Sequence, residues 1–190
     1  AFIDLGIGYA SDATRTRIGA RKPWLIGGAL VGMASFAVTF HPPADAGIGY
    51  FTLAIVLYYL TIGTIGIPWM AWCGELATDY AERSVLAAYN TLALLVGGVA
   101  FLLLPNILAL PGIELVKSTE IDPAMMAIYG WIGVVTLPLL ILVAVRWAPH
   151  GRPQQAGSPS VAEMIRAARG NRPFWALVSA DVFTQLAWGV

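Results

Sequence analysis

Polar and apolar positions fall along this chain in long blocks rather than at the short period of an amphipathic helix or strand. No formal charge lies between Lys22 and Asp45, between Asp45 and Glu75, between Arg83 and Glu114, or between Asp122 and Arg146. A helix needs about 20 mostly apolar residues to cross a bilayer. The gaps therefore predict four complete spans, over residues 24–40, 50–73, 85–108 and 124–145. Two further apolar runs, 1–10 and 174–190, predict partial spans at the ends. The expected fold class is all-α and integral to a membrane, because a helix buried in a soluble core does not repeat this length four times in succession.

The distribution of Lys and Arg supports the same count. Arg15, Arg17, Arg21 and Lys22 fall in the first loop, Arg83 in the third, and Arg146, Arg152, Arg166, Arg169 and Arg172 after the fourth full span. The alternate loops hold only Lys117. Basic residues concentrate on the cytoplasmic side of membrane proteins, so that side is predicted to carry the three basic segments. Composition agrees: 58% of residues are hydrophobic and 12% charged, where a soluble domain has about a quarter charged. A net charge of zero offers no attraction to a polyanion, which argues against a nucleic-acid partner. The single cysteine, Cys73, cannot form an internal disulfide. Both termini fall inside apolar runs with no cap or turn signal, so the chain is read as an internal piece of a longer membrane protein.

Residues 149–172 differ from the rest. The stretch from His150 to Pro159 has the composition of a flexible connector. Ser160 and Glu163 then make a capping box that opens a short amphipathic helix over 161–169, with Val161, Met164, Ile165 and Ala168 on one side. Pro173 suits the first turn of the next helix. The expected organisation is a helical bundle over 1–148, a cytoplasmic connector over 149–172, and the start of a further span over 173–190.

Chemistry-bearing residues cluster in the first loop. Gly8, Asp12, Arg15, Arg17, Gly19, Arg21 and Lys22 place an acid and a basic cluster around a glycine that permits positive φ. Such a charge network can hold helix ends together in one conformation and release them in another. Glu75, Asp79, Glu82 and Arg83 cluster at the same predicted side, where Glu75, Asp79 and Arg83 are candidates for a gate, pairing with Arg15, Arg17 or the second half of a longer protein. Asp4 lies inside an apolar run, where an ionised acid is costly, so it should face a cavity or hold a proton or cation. Gly63, Gly66 and Pro68 interrupt the second full span, as in helices that line transporter cavities. Tyr58, Gly66, Trp69 and Tyr89 are candidates for a solute cavity. His41 is read as an exposed loop residue, and Asp181 sits seven residues into the last span. No nucleophile–base set, metal-ligand cluster or phosphate-binding loop occurs, so enzyme chemistry has no support.

Three blocks resemble one family. Thr14-Arg15-Thr16-Arg17 followed by Gly19-Ala20-Arg21-Lys22-Pro23-Trp24 is similar to the loop between helices two and three of the glycoside–pentoside–hexuronide:cation symporters, within the major facilitator superfamily. Ile67-Pro68-Trp69-Met70-Ala71-Trp72-Cys73-Gly74-Glu75-Leu76, with Asp79, Glu82, Arg83 and Tyr89 beyond it, resembles that family's helix four and the loop after it. Asn171-Arg172-Pro173-Phe174 resembles its entry into helix seven. The resemblance implies a major facilitator fold fragment, from the end of helix two to the start of helix seven. It implies solute–cation symport by alternating access, with Asp4 at the place of a cation-binding aspartate. The implied partners are membrane lipid and a sugar or glycoside. The implied coupling ion is Na⁺ or H⁺ with no other cofactor, and the implied setting is a monomer in a bacterial inner membrane. The family's melibiose carriers have an aspartate in place of Gly66 and an arginine in place of Thr91, so their galactoside pattern is absent. Those departures keep two alternatives: a non-transporting membrane assembly factor on the same fold, and a facilitator or exporter of a non-sugar solute.

Overall fold

The computed structural model describes residues 2–77, 79–110, 122–149, 151, 166–167 and 169–188. The long helices are α1 (Phe2–Ala13), α2 (Lys22–Phe40), α3 (Ile48–Leu76), α4 (Tyr80–Leu108), α5 (Pro123–Trp147) and α6 (Arg172–Trp188). Among the described residues there is no strand. Helices α2 to α5 are each long and apolar enough to cross a membrane. They coincide with the four predicted spans but run further, taking in Lys22, Glu75, Glu82, Arg83 and Arg146. Charge gaps undercount a span because a charged side chain in a terminal turn can reach the polar layer or a partner while its backbone stays helical. The chain divides into two units, 1–153 with α1 to α5 and 154–190 with α6. In the second unit, Asn171 Oδ1 accepts the Phe174 N–H at 3.1 Å as the helix starts. Of the expected helix over 161–169, residues 166, 167 and 169 are helical. Its capping box and Lys117 lie outside the described residues.

Helix α2 is the centre of the first unit, packed on α3 along one side and α5 along another. Lipid tails are as apolar as leucine, so helices in a membrane gain little by hiding apolar surface and associate through close van der Waals contact. Small residues supply that contact here. A Cβ on Gly28 would fall 2.6 Å from the Ile65 side chain and 3.3 Å from the Thr64 carbonyl carbon. Gly32 faces Thr61 of α3 and Leu137 of α5. In return, Gly133 of α5 lies under the Phe36 ring, and a Cβ on Gly130 would meet Phe40 Cβ at 2.5 Å. In both pairs residue numbers fall on one helix as they rise on the other, so α2 is antiparallel to α3 and to α5. Helix α1 runs parallel to α3, with Gly8 facing Ile67 and Gly63 facing Asp4 and Ile7.

Two threonine hydroxyls inside α3 are satisfied locally. Thr61 Oγ1 donates to Leu57 O at 2.8 Å and Thr64 Oγ1 to Leu60 O at 2.5 Å. This removes the cost of a polar group without a partner in lipid. At the end opposite the basic loop, Tyr50 Oη donates to Val38 O at 2.6 Å and pins α3 to α2. His41 is not an exposed loop residue: its ring packs edge-on to Trp131 at 5.0 Å, and its Nε2 is buried. Gly130 makes this possible, since a Cβ there would sit 2.7 Å from His41 Cε1. Helix α5 starts with Pro123, and Asp122 Oδ1 caps it by accepting the Met125 N–H at 2.7 Å.

Candidate functional site

Two sites emerge, one at the basic end of the helices and one within the spans. The first is organised by Arg21, which is 3% exposed. Its Nη1 contacts Asp12 Oδ1 at 2.6 Å and donates to Ser11 Oγ at 2.8 Å, while its Nε donates to Glu75 Oε1 at 2.8 Å. Ser11 passes the chain of bonds on, donating to Gly8 O at 3.1 Å. One guanidinium thus ties the end of α1 to the end of α3. Burial works against its charge, but hydrogen bonds and attraction from Glu75 and Asp12 more than offset that, and its pKa is raised above the ordinary arginine value. Such a buried cation needs both partners, because removing one leaves charge stranded.

The loop is shaped to deliver Arg21. Gly19 has φ of 103°, a conformation that side chains rarely adopt. Its N–H bonds Thr16 O at 3.1 Å, closing a tight turn. Trp24 Nε1 donates to Thr14 Oγ1 at 2.9 Å, and that hydroxyl donates to Ala10 O at 2.7 Å, fastening α2 to α1. Lys22 leaves this network: its Nζ donates to Val145 O and Ala148 O, both at 2.8 Å. Arg15 and Arg17 are exposed, away from the buried bonds. Of the seven candidates here, Asp12 and Arg21 form the pair, Gly8 and Gly19 support it, and Lys22 serves α5.

The candidate gate is only partly assembled. Glu75 pairs with Arg21, not with Arg15 or Arg17, because Arg21 lies inside the α1–α3 crevice and the other two outside it. Arg83 Nε donates to Ala77 O at 3.1 Å, taking a carbonyl near the C-terminus of α3. Asp79 is exposed just before α4.

At the depth of Gly63 in α3, Asp4 is exposed on α1 with one carboxylate oxygen against α3. A Cβ on Gly63 would lie 3.1 Å from Asp4 Oδ1 and 3.1 Å from Ile7 Cδ1. The carboxylate therefore approaches α3 where that helix has no side chain. A groove of about 810 Å³ runs between α3 and α4, walled by Trp69, Met70 and Cys73 on one side and by Asn90, Leu94 and Gly97 on the other. None of its lining residues carries a formal charge. Asn90 Nδ2 is 3.9 Å from Cys73 Sγ. At about 100° per residue, Gly66 falls between the Gly63 side of α3 and the Cys73 side. A Cβ there would meet nothing within 4 Å. The ion-holding candidate and the groove thus occupy neighbouring sectors of one helix.

Of the four cavity candidates, Trp69 lines the groove. Gly66 opens beside it, Tyr58 packs edge-on to Tyr59 at 5.6 Å, and Tyr89 is exposed on α4. Sequence reasoning missed Asn90, although an amide inside an apolar span is a usable signal. It also missed Ser11, whose importance depends on Arg21 reaching it. Asp181 lies on α6 in the other unit.

A family model described as MFS/sugar transport protein matches residues 1–190. An uncharacterised symporter of Synechocystis sp. is 27% identical over 173 residues, covering 84% of this chain and 29% of the relative. A protein of Escherichia coli (strain K12), named as a candidate glycoside/cation symporter, is 27% identical over 143 residues, covering 72% of this chain and 30% of the relative. The chain therefore spans under a third of the length of these curated relatives. No solved structure matches it.

Proposed function

The chain belongs to the MFS/sugar transport protein family, and from that premise we propose that the whole protein is a sugar or glycoside transporter coupled to Na⁺ or H⁺. It works as a multi-pass membrane protein, by alternating access, with membrane lipid and a small solute as its partners. Bacterial relatives named as symporters support a bacterial inner membrane as its location and cation coupling as its energy source. We assign it no cofactor beyond the coupling ion, no enzymatic step, and action as a monomer.

The observation that carries the reading is the seat of Asp4 at Gly63. A carboxylate at membrane depth costs several kcal/mol unless an ion, a proton, water or a polar partner offsets the charge. Placed one helix sector from the groove, its occupancy can alter the solute's surroundings, which is what coupling requires. Trp69 offers an aromatic face and Asn90 an amide, a combination that suits a neutral ring with hydroxyls. The Asp12–Arg21–Glu75 network serves as the latch that closes the basic, cytoplasmic end, with Gly8 and Gly19 shaping it and Arg15 and Arg17 at its rim.

The test uses full-length protein in vesicles. Counterflow of a labelled sugar panel identifies the solute. Asp4→Asn keeps the shape and removes the charge. Uphill accumulation driven by an ion gradient should vanish, while downhill exchange of solute partly survives because exchange need not move the ion. Accumulation at the wild-type level in Asp4→Asn would remove Asp4 as the coupling site.

A further inference from the structure

Lys22 carries its charge at the N-terminus of α2, the positive end of that helix's dipole, where its own helix gives it no support. It is 4% exposed. Its Nζ reaches across to α5 and donates to Val145 O and Ala148 O, carbonyls of the α5 C-terminus that have no helical donor left. The same ammonium lies 5.5 Å from the ring centre of Trp72, a side chain that is 2% exposed. The chain then continues past α5 to Gly151, which rests on Glu75: a Cβ at 151 would overlap the Glu75 carboxylate. The other oxygen of Glu75 holds Arg21. Two adjacent cations thus divide the work. Arg21 ties α1 to α3, Lys22 ties α2 to α5, and Glu75 touches both Arg21 and the segment that follows α5.

We propose that Lys22 and Glu75 are positioning residues that fix where the chain leaves the five-helix unit, and that they carry opening of the Asp12–Arg21–Glu75 network to the chain at Ala148 and Gly151, just past α5. When Arg21 releases Glu75, the carboxylate under Gly151 moves, and the exit point moves with it. Lys22 limits the movement by holding the end of α5 to the start of α2. The inference rests on reading the Arg21 network as a latch, but its test needs no solute and no ion gradient.

The experiment uses full-length protein in a Cys73→Ala background with the half-buried Ala148→Cys as a probe, labelled by a water-soluble maleimide in inside-out vesicles. Lys22→Met keeps the apolar stem and removes the ammonium, and it should raise the labelling rate about tenfold through local opening. Lys22→Arg, which still donates to the two carbonyls, should return the rate to within about twofold of the parent. Gly151→Ala should also raise labelling by displacing the Glu75 carboxylate, and Glu75→Ala should raise it by removing the contact under Gly151. Arg21→Ala, which touches nothing on α5, should raise labelling as well. Asp45→Asn, at the opposite end, should leave it unchanged. If Lys22→Met inserts poorly, Gly151→Ala and Glu75→Ala decide the matter. Parent-like labelling in Lys22→Met and Gly151→Ala overturns the positioning role, and parent-like labelling in Arg21→Ala overturns the transmission.

Discussion

Helices α2 and α4 are both long, apolar and rich in small residues, yet they are held in opposite ways. In α2, 28% of the most apolar window is buried, against 6% in α4. Each contains a pair of glycines that looks like a packing motif. In α2, Gly28 and Gly32 are filled by Ile65, Thr64, Thr61 and Leu137 from two neighbours. In α4, Gly97 and Gly98 have nothing within 4 Å and open onto the groove. Helix α4 meets α5 mainly at one place, where Phe101 stacks on Tyr129 at 4.3 Å and accepts its hydroxyl at 2.8 Å. The comparison teaches that small residues in a span have two uses. They bring backbones together where a neighbour is present, and they leave space where a solute or another segment belongs.

The sharpest way to break this contrast is at the end where α2 is anchored. Arg21→Ala strands two carboxylates against the helix ends and should lower stability by about 3 kcal/mol. Thermal unfolding in detergent, by far-ultraviolet circular dichroism, reads the loss. A change below about 0.5 kcal/mol would mean that the network contributes nothing net, as exposed ion pairs often do. The next test compares glycines directly. Gly133→Ala pushes a methyl into the Phe36 ring and should cost about 2 kcal/mol by overpacking. Gly97→Ala meets open space and should stay within about 0.5 kcal/mol. Equal costs at the two positions would erase the distinction between seam and groove. A smaller loss than at Gly133 is expected at the far end of α2. Tyr50→Phe loses the bond to Val38 O and should cost about 1 kcal/mol with packing unchanged.

The site was legible to different depths. Asp12 and the arginines after it were visible as a cluster, since acid and base lie within one loop. Which arginine is used was not visible. Arg21 is chosen over Arg15 and Arg17 because the positive φ at Gly19 turns the chain and sends only the later side chain into the crevice. Glu75 was visible as an acid at the same side of the membrane, but its partner depends on the parallel register of α1 and α3. Asp4 stood out because an acid in an apolar run is costly wherever the helix points, while its seat at Gly63 needed that same register. His41 was misread because a loop position says nothing about Gly130, far along the chain, which makes room for its ring.

The sequence by itself determined the number of spans, their ends to within a few residues, and the side that carries the basic loops. Those properties follow from local quantities, namely the length of each charge-free run and the cost of placing charge in hydrocarbon. Tertiary structure decided the rest: that α2 is central and α4 peripheral, that Lys22 serves α5 while Arg21 serves α1 and α3, and that Asp4 and the groove occupy adjacent sectors of α3. In lipid every span is apolar enough to face any neighbour, so hydropathy does not choose partners. Contact shape and hydrogen bonds between distant residues do, and these exist only once the helices have met.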